Sequence, residues 1–354
     1  MLRTFLLLAL ALGLLGTDAA HGQFDGPATP EITRPKGKAA SKAKTKAKSK
    51  AEQASDEEVA AKIAARGVQR DTAETQHWQC GVQIRALGGP CAGLFGTIAV
   101  PTDWPEQQVR IHKEDISENV KKVGYRTLEQ GVKQMTIAVP QLNPGETARA
   151  LIVFEVERFS LMPPPDTTSF VLPTKAPLNV KKHLGASPLI ESLQAEFKKT
   201  AQELVEGKSL AWEQVEALYD GCREQVKWEN GKDQGALAAL TAGKGNKEDV
   251  TGVFVALCRS QKIPARLVWV PDSLYAEFYL EDDEGHGYWI PCYVASEKKE
   301  FGFVSTHAPV LQKGDNFKVP EKKEAQRFVA EFLTGKGGGG GRPEVEFIRR
   351  LEGR

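Results

Sequence analysis

Histidine and cysteine are sparse in this chain of 354 residues, and they are scattered. No Cys-x-x-Cys or His-x-x-x-His pair occurs, so local spacing gives no metal site, and neither a metal nor a cofactor is expected. After the first 22 residues no apolar run approaches the ~20 needed for a membrane-spanning helix. No cysteine follows the N-terminal apolar run, so nothing indicates a lipid anchor. The five cysteines are an odd number and cannot all pair within one chain. The Lys-rich stretch 39–50 lacks large apolar side chains to bury and aromatics on which bases could stack.

What is present begins with a short positive start, Met1-Leu2-Arg3, and a leucine-rich run to Leu15. Ala20-His21-Gly22 then places small residues before Gln23. This is the layout of a secretory signal peptide over residues 1–22, and the expected location is secreted, periplasmic or cell envelope. Export makes disulfides permissible. Cys80 and Cys91 flank the turn Gly88-Gly89-Pro90 and are candidates for one, the alternative being two unpaired buried thiols.

The net charge of +1 is unevenly distributed. Residues 34–50 carry eight basic groups and no acid. Residues 1–22 are neutral overall and Asp25 and Glu31 contribute −2, so residues 51–354 carry a net −5. Residues 23–72 read as a disordered tail, transiently helical near Glu57–Ala65. Lys42, Lys44, Lys46, Lys48 and Lys50 could adhere to a polyanion such as an envelope polymer; a solvated linker is the plainer reading.

Residues 73–165 hold short runs of β-branched and apolar residues separated by turn signals such as Asn143-Pro144-Gly145. Ala150, Ile152, Phe154 and Val156 alternate to one face, Glu155 and Glu157 to the other. A β-sandwich domain is expected here, with packing or recognition as its role. Met162-Pro163-Pro164-Pro165 ends it, and residues 166–184 read as a linker. Helical stripes follow: Leu189, Leu193, Phe197, Ala201 and Leu204; then Trp212, Val215, Tyr219, Cys222 and Val226; then Val250, Val253, Phe254, Leu257 and Cys258. Strands are expected at 266–270, 274–280 and 288–293; residues 326–334 fit either a strand or a helical stripe, and the strand, joined across Gly337–Gly341 to another at 345–348 as a final hairpin, is preferred.

The segments Gly243-Lys244-Gly245-Asn246-Lys247-Glu248-Asp249, Ile263-Pro264-Ala265-Arg266, Tyr275-Ala276-Glu277-Phe278-Tyr279-Leu280 and Trp289-Ile290-Pro291 resemble the transglutaminase-like superfamily, related to papain. The resemblance covers about residues 185–310. It implies a transglutaminase-like domain over residues 185–354, with helices packed on an antiparallel sheet; with the β-sandwich expected before it, the fold class is α+β. Family members carry out acyl transfer on glutamine side chains, or hydrolyse amides through a thioester. They use a cysteine at a helix start, a histidine on the neighbouring strand and an aspartate that orients it.

Those three positions fall on Lys247, Ser273 and Tyr293. A protonated ammonium has no lone pair for attack and is misplaced at a helix N-terminus. A serine hydroxyl cannot serve as the base an imidazole supplies. The resemblance therefore implies a degenerate triad, and a non-catalytic protein- or peptide-binding cleft or scaffold. An active acyltransferase or amidase would need a replacement nucleophile, Cys292 or Cys258, although both read more naturally as core. An envelope-adhesion protein acting through the Lys-rich arm is the third expectation. Arg266 and Glu277 are expected to form a cross-strand ion pair, and Glu248 and Asp249 to complement the dipole of the helix they open.

Overall fold

A computed structural model describes residues 50–353. The expected signal peptide, with Lys42, Lys44, Lys46 and Lys48, lies outside the described residues, and Lys50 opens the first helix. That helix, α1 (Lys50–Arg66), leads directly into β1 (Gln69–Leu87). Residues 50–72, expected in the tail, are thus helix and strand. Gln69 Nε2 donates to the carbonyls of Ala64, Ala65 and Gly67, which would otherwise be free at the helix end. Arg66 donates to Asp282 Oδ2 at 3.2 Å and to Glu284 Oε1 at 2.7 Å, tying α1 to a distant turn. There follow β2 (Cys91–Ala99), β3 (Gln107–Ile116), β4 (Lys122–Thr127), β5 (Lys133–Leu142) and β6 (Thr147–Met162). In β6 the expected face, Ala150, Ile152, Phe154 and Val156, is buried, and it shares a core with Ile84 of β1, Leu94 and Ile98 of β2 and Ile137 of β5.

The second part of the chain contains α2 (Leu178–Lys181), α3 (Ala195–Val205), α4 (Ala211–Gln225), β7 (Lys227–Trp228), α5 (Ala236–Ala242), β8 (Lys244–Gly245) and α6 (Lys247–Ser260). Then come β9 (Ala265–Val270), β10 (Ser273–Glu281), β11 (Gly287–Tyr293), β12 (Glu300–Phe301) and β13 (Gln312–Lys313). These five strands form one antiparallel sheet in the order β12-β11-β10-β9-β13. Every residue of α6 from Asp249 to Arg259 is buried, which accounts for its apolar character on all sides. Phe254 of α6 meets Tyr219 of α4 and Phe278 of β10 edge-on. Fully burying an aromatic of this size contributes about 1.5–3 kcal/mol. The first expected stripe begins too early: Leu189 has a left-handed φ of 62° and Leu193 is exposed, so Phe197 and Ala201 enter the core from α3 and Leu204 packs against it.

The chain closes with β14 (Phe332–Gly337) and β15 (Arg342–Leu351). They do not pair as the expected hairpin within the last domain. β14 pairs with β2 and β15 with β1, completing two four-stranded sheets, β14-β2-β5-β4 and β15-β1-β6-β3. Cys80 and Cys91, candidates for a disulfide or for two unpaired buried thiols, are both free and buried. Cys80 lies mid-strand opposite Ile152 and Arg349, whereas Cys91 opens β2 opposite Leu142 and Gly337. Seven residues of strand, about 23 Å at the usual rise, separate Cys80 from the end of β1 near Cys91, well beyond disulfide reach. Among the described residues no helix is long and apolar enough to cross a membrane.

Candidate functional site

The start of α6 is built by its own sequence. Asn246 Oδ1 accepts the Asp249 N–H at 2.8 Å and Asp249 Oδ2 accepts the Asn246 N–H at 3.3 Å, a reciprocal cap. Asp249 also accepts from the backbone of Gln234 and Gly235, so one buried carboxylate ties the α5 approach to the α6 start. Gly245 is required by close approach: a Cβ there would fall 2.8 Å from that of Asp249. Lys247, the first helical residue, turns its ammonium over the Trp228 ring at 5.5 Å from the centroid. Glu248, beside it, lines a cavity instead.

Ser273 and Tyr293 are brought together. Pro271-Asp272 makes a two-residue turn between β9 and β10, with Asp272 left-handed at φ 58°, and Ser273 opens β10 opposite Val270. At the end of β11, the Tyr293 hydroxyl hydrogen-bonds to Ser273 Oγ. Burial raises the Tyr293 hydroxyl above its ordinary pKa, and the charge of Glu300 adds to this. The strand pairing thus joins two of the three sequence-selected positions, while Lys247 is engaged elsewhere.

Cys258 and Cys292 lie fully buried, packed in the core with Cys222. Burial pushes both thiols well above their usual range. A thiol so placed is neutral and screened from solvent, which suits a core residue rather than a nucleophile.

The expected Arg266–Glu277 pair is present, with Arg266 Nη2 at 2.6 Å from Glu277 Oε2. It belongs to a larger buried network. Lys313 Nζ lies 2.6 Å from both Glu277 Oε1 and Glu106 Oε1, and Arg158 Nη2 donates to the Tyr275 hydroxyl at 3.2 Å. Burial alone would raise the Glu277 carboxyl, but Arg266 and Lys313 overcome it and hold it well below the usual carboxylate range. A second buried pair joins Arg259 Nη2 to both oxygens of Asp315, at 2.7 and 2.8 Å.

Beside Ser273 opens a cavity of about 520 Å³, lined in part by Asp233, Glu248, Trp269, Arg327, Phe328 and Arg349. Arg327 is 7% exposed. Its Nη2 donates to Asp233 at 2.7 Å, whereas its Nη1 is buried without a hydrogen-bond partner, 4.0 Å from Asp249 Oδ1. Arg349 of β15 donates to Glu331 at 2.7 Å through Nη2, and its Nε is likewise unpartnered. Sequence reading missed both arginines. They come from the C-terminal segment, and no local signal connects that segment to the start of β10.

Residues 198–296 match the family model described as the transglutaminase-like superfamily. The chain carries a transglutaminase-like domain. That domain contains the α6 cap, Ser273 and Tyr293. Among solved structures, a protein from Cytophaga hutchinsonii, described as a "putative cysteine protease", is similar to 80% of this chain and 92% of its own, with TM-score 0.51 and 15% identity, a likeness of fold alone. A "putative protease" from Parabacteroides distasonis covers 63% of this chain and 48% of its own, with 12% identity and TM-score 0.28, and carries no argument here. No curated protein matches the sequence.

Proposed function

We propose that the transglutaminase-like domain has lost its Cys-His-Asp chemistry, and that the cavity beside Ser273 binds a protein or peptide segment without cleaving it. The observation that carries this is the Ser273–Tyr293 hydroxyl pair, with the Lys247 ammonium turned over Trp228. These positions offer no thiolate, no imidazole and no carboxylate. The cavity favours a ligand of mixed character. Trp269 and Phe328 supply apolar surface, and the guanidinium groups of Arg327 and Arg349 in the lining suit a carboxylate, from an acidic side chain or a chain terminus. The two four-stranded sheets and their shared core support a β-sandwich built from the N-terminal strands β1–β6 and completed by β14 and β15, acting in packing or recognition.

A screen of fluorescein-labelled peptides by anisotropy tests the reading. Saturable binding to acidic or carboxylate-ended peptides, weakened about tenfold or more by R327M, is expected. Cleavage of those peptides, or ammonia release from a glutamine donor, by the wild-type protein and not by K247A would sink it. The buried positions of Cys258 and Cys292 weigh against the alternative of an acyltransferase or amidase that uses either thiol.

The protein is further proposed to be exported, with residues 1–22 as its leader and the basic stretch 34–50 contacting an anionic envelope polymer. Salt-sensitive retention on heparin-type resin, lost on deleting 34–50, is the expected result. Retention unchanged by the deletion would remove the polymer contact from the reading.

A further inference from the structure

On the outer face of the sheet β15-β1-β6-β3, three side chains from three strands converge. His77 of β1 stands directly across from Glu155 of β6 in the strand register. On the other side of β6, β3 runs with Ile111 opposite Phe154 and Lys113 opposite Val153, leaving His112 as the extra, unpaired residue of a bulge. A bulge re-aims a side chain that regular pleating would place elsewhere. Here it brings the His112 ring over Glu155 to meet that of His77, the centroids 4.4 Å apart.

We propose that His77, His112 and Glu155 form a binding site for a divalent transition-metal ion of the zinc class. The potential ligand atoms all lie within 4.8 Å of one another. His77 Nε2 is 3.3 Å and His112 Nδ1 3.8 Å from the same oxygen, Glu155 Oε2. Ligands of a tetrahedral ion with bonds of about 2.0–2.1 Å stand about 3.3 Å apart, so modest side-chain rotation closes the site.

Two further observations distinguish this arrangement from an ordinary ion pair. His77 Nε2 is buried and, despite its distance from Oε2, lies outside hydrogen-bond geometry with that oxygen and has no other partner. A donor–acceptor pair would align; two ligands awaiting a shared ion need not. Arg110, opposite Glu155 on β3, pairs with Oε1 and leaves Oε2 to face the two rings. That is the orienting role an outer partner plays for a ligating carboxylate.

Two imidazoles and one carboxylate suit zinc, cobalt or nickel, whereas calcium and magnesium prefer all-oxygen sets. Three protein ligands leave a fourth position for water or an incoming group. Glu155 also borders a groove of about 440 Å³ that includes Asp103, Gln108 and Glu157. Sequence spacing could not reveal this site, because each ligand comes from a different strand; the expectation of no metal rested on neighbours along the chain.

The test uses the chain from residue 23 to 354, stripped with EDTA and kept reduced, titrated calorimetrically with zinc chloride and, separately, with cobalt(II) followed by visible absorption. One zinc ion per chain and cobalt bands of a low-symmetry nitrogen–oxygen site are expected. H112A, H77A and E155Q should each weaken zinc binding about tenfold or more, while H286A, at the β10–β11 turn, should leave it unchanged. His112 is half-exposed on a bulge, so H112A is decisive even if H77A folds poorly. Absence of saturable binding, or zinc affinity unaltered in H112A, overturns the proposal.

Discussion

Ser273 and Tyr293 bond to each other through their hydroxyls at one end of the β10–β11 pair. The α6 start has a reciprocal cap and a close glycine approach.

K247C should therefore yield a reactive thiol. A cysteine at the first position of α6 sits in the field of the helix N-terminus, which lowers a thiol pKa. Iodoacetamide at pH 7 is expected to modify it at least about tenfold faster than any native cysteine, read by mass spectrometry of the tryptic peptide. Equal rates would mean that the helix start no longer supports a thiolate.

The native thiols should be silent. All five cysteines are buried and free. Burial pushes Cys222 and Cys80 up to about 12. Alkylation of the folded wild-type protein at neutral pH should label none within an hour, and denaturant should expose all five. Rapid selective labelling of Cys292 or Cys258 in the native state would instead revive the enzymatic alternative.

The buried network around Glu277 sets an acid limit on stability. Its carboxyl, like that of Asp315 beside Arg259, is held below the unfolded value of about 4.3 for Glu and 3.9 for Asp. A depressed pKa stabilises the fold above the unfolded value, and that stabilisation is lost as pH falls through the folded one. Urea denaturation should give nearly constant stability above about pH 5 and a decline below about pH 4. E277Q leaves Arg266 and Lys313 facing a neutral group, so a loss of about 3–5 kcal/mol at pH 7 is expected, with a shallower decline in acid. A loss under ~1 kcal/mol would show that the two cations find water or other partners.

Asp249 has a structural role at the start of α6. Its side chain accepts from Asn246, Gln234 and Gly235 in a buried setting. D249A should cost about 2 kcal/mol or more, because it strips the cap and orphans several donors. D249N, which keeps an acceptor oxygen, should cost less. The midpoint of denaturant unfolding distinguishes the two.

The α4 and α6 stripes, the alternation in β6 and the Arg266–Glu277 pair were legible because each depends on residues close in sequence or on period alone. α5 was missed: its seven residues are mostly alanine and leucine, and it is ended by left-handed Gly243, too short for a periodic signal. β4, six residues paired only with β5, carries little apolar content of its own. Leu189 and Leu193 fitted a helical stripe by spacing, but the turn linking Ser187 to Ile190 overrides it. The unpartnered arginines of the cavity and the His77–His112–Glu155 cluster were invisible for one shared reason. Long-range strand pairing decides which side chains become neighbours, and no short window records it.

The pairing of Val82 with Phe347 gives the polypeptide an order of assembly. The ribosome releases β1 and β2 long before the strands that flank them exist, and synthesis at about 5–20 residues per second imposes a wait of tens of seconds. During that interval both early sheets are one strand short, each with a bare rim able to recruit a stranger. Loss of the chain from Phe332 onward would make that vulnerability permanent, so a late stop codon should damage the beginning of the protein as much as its end.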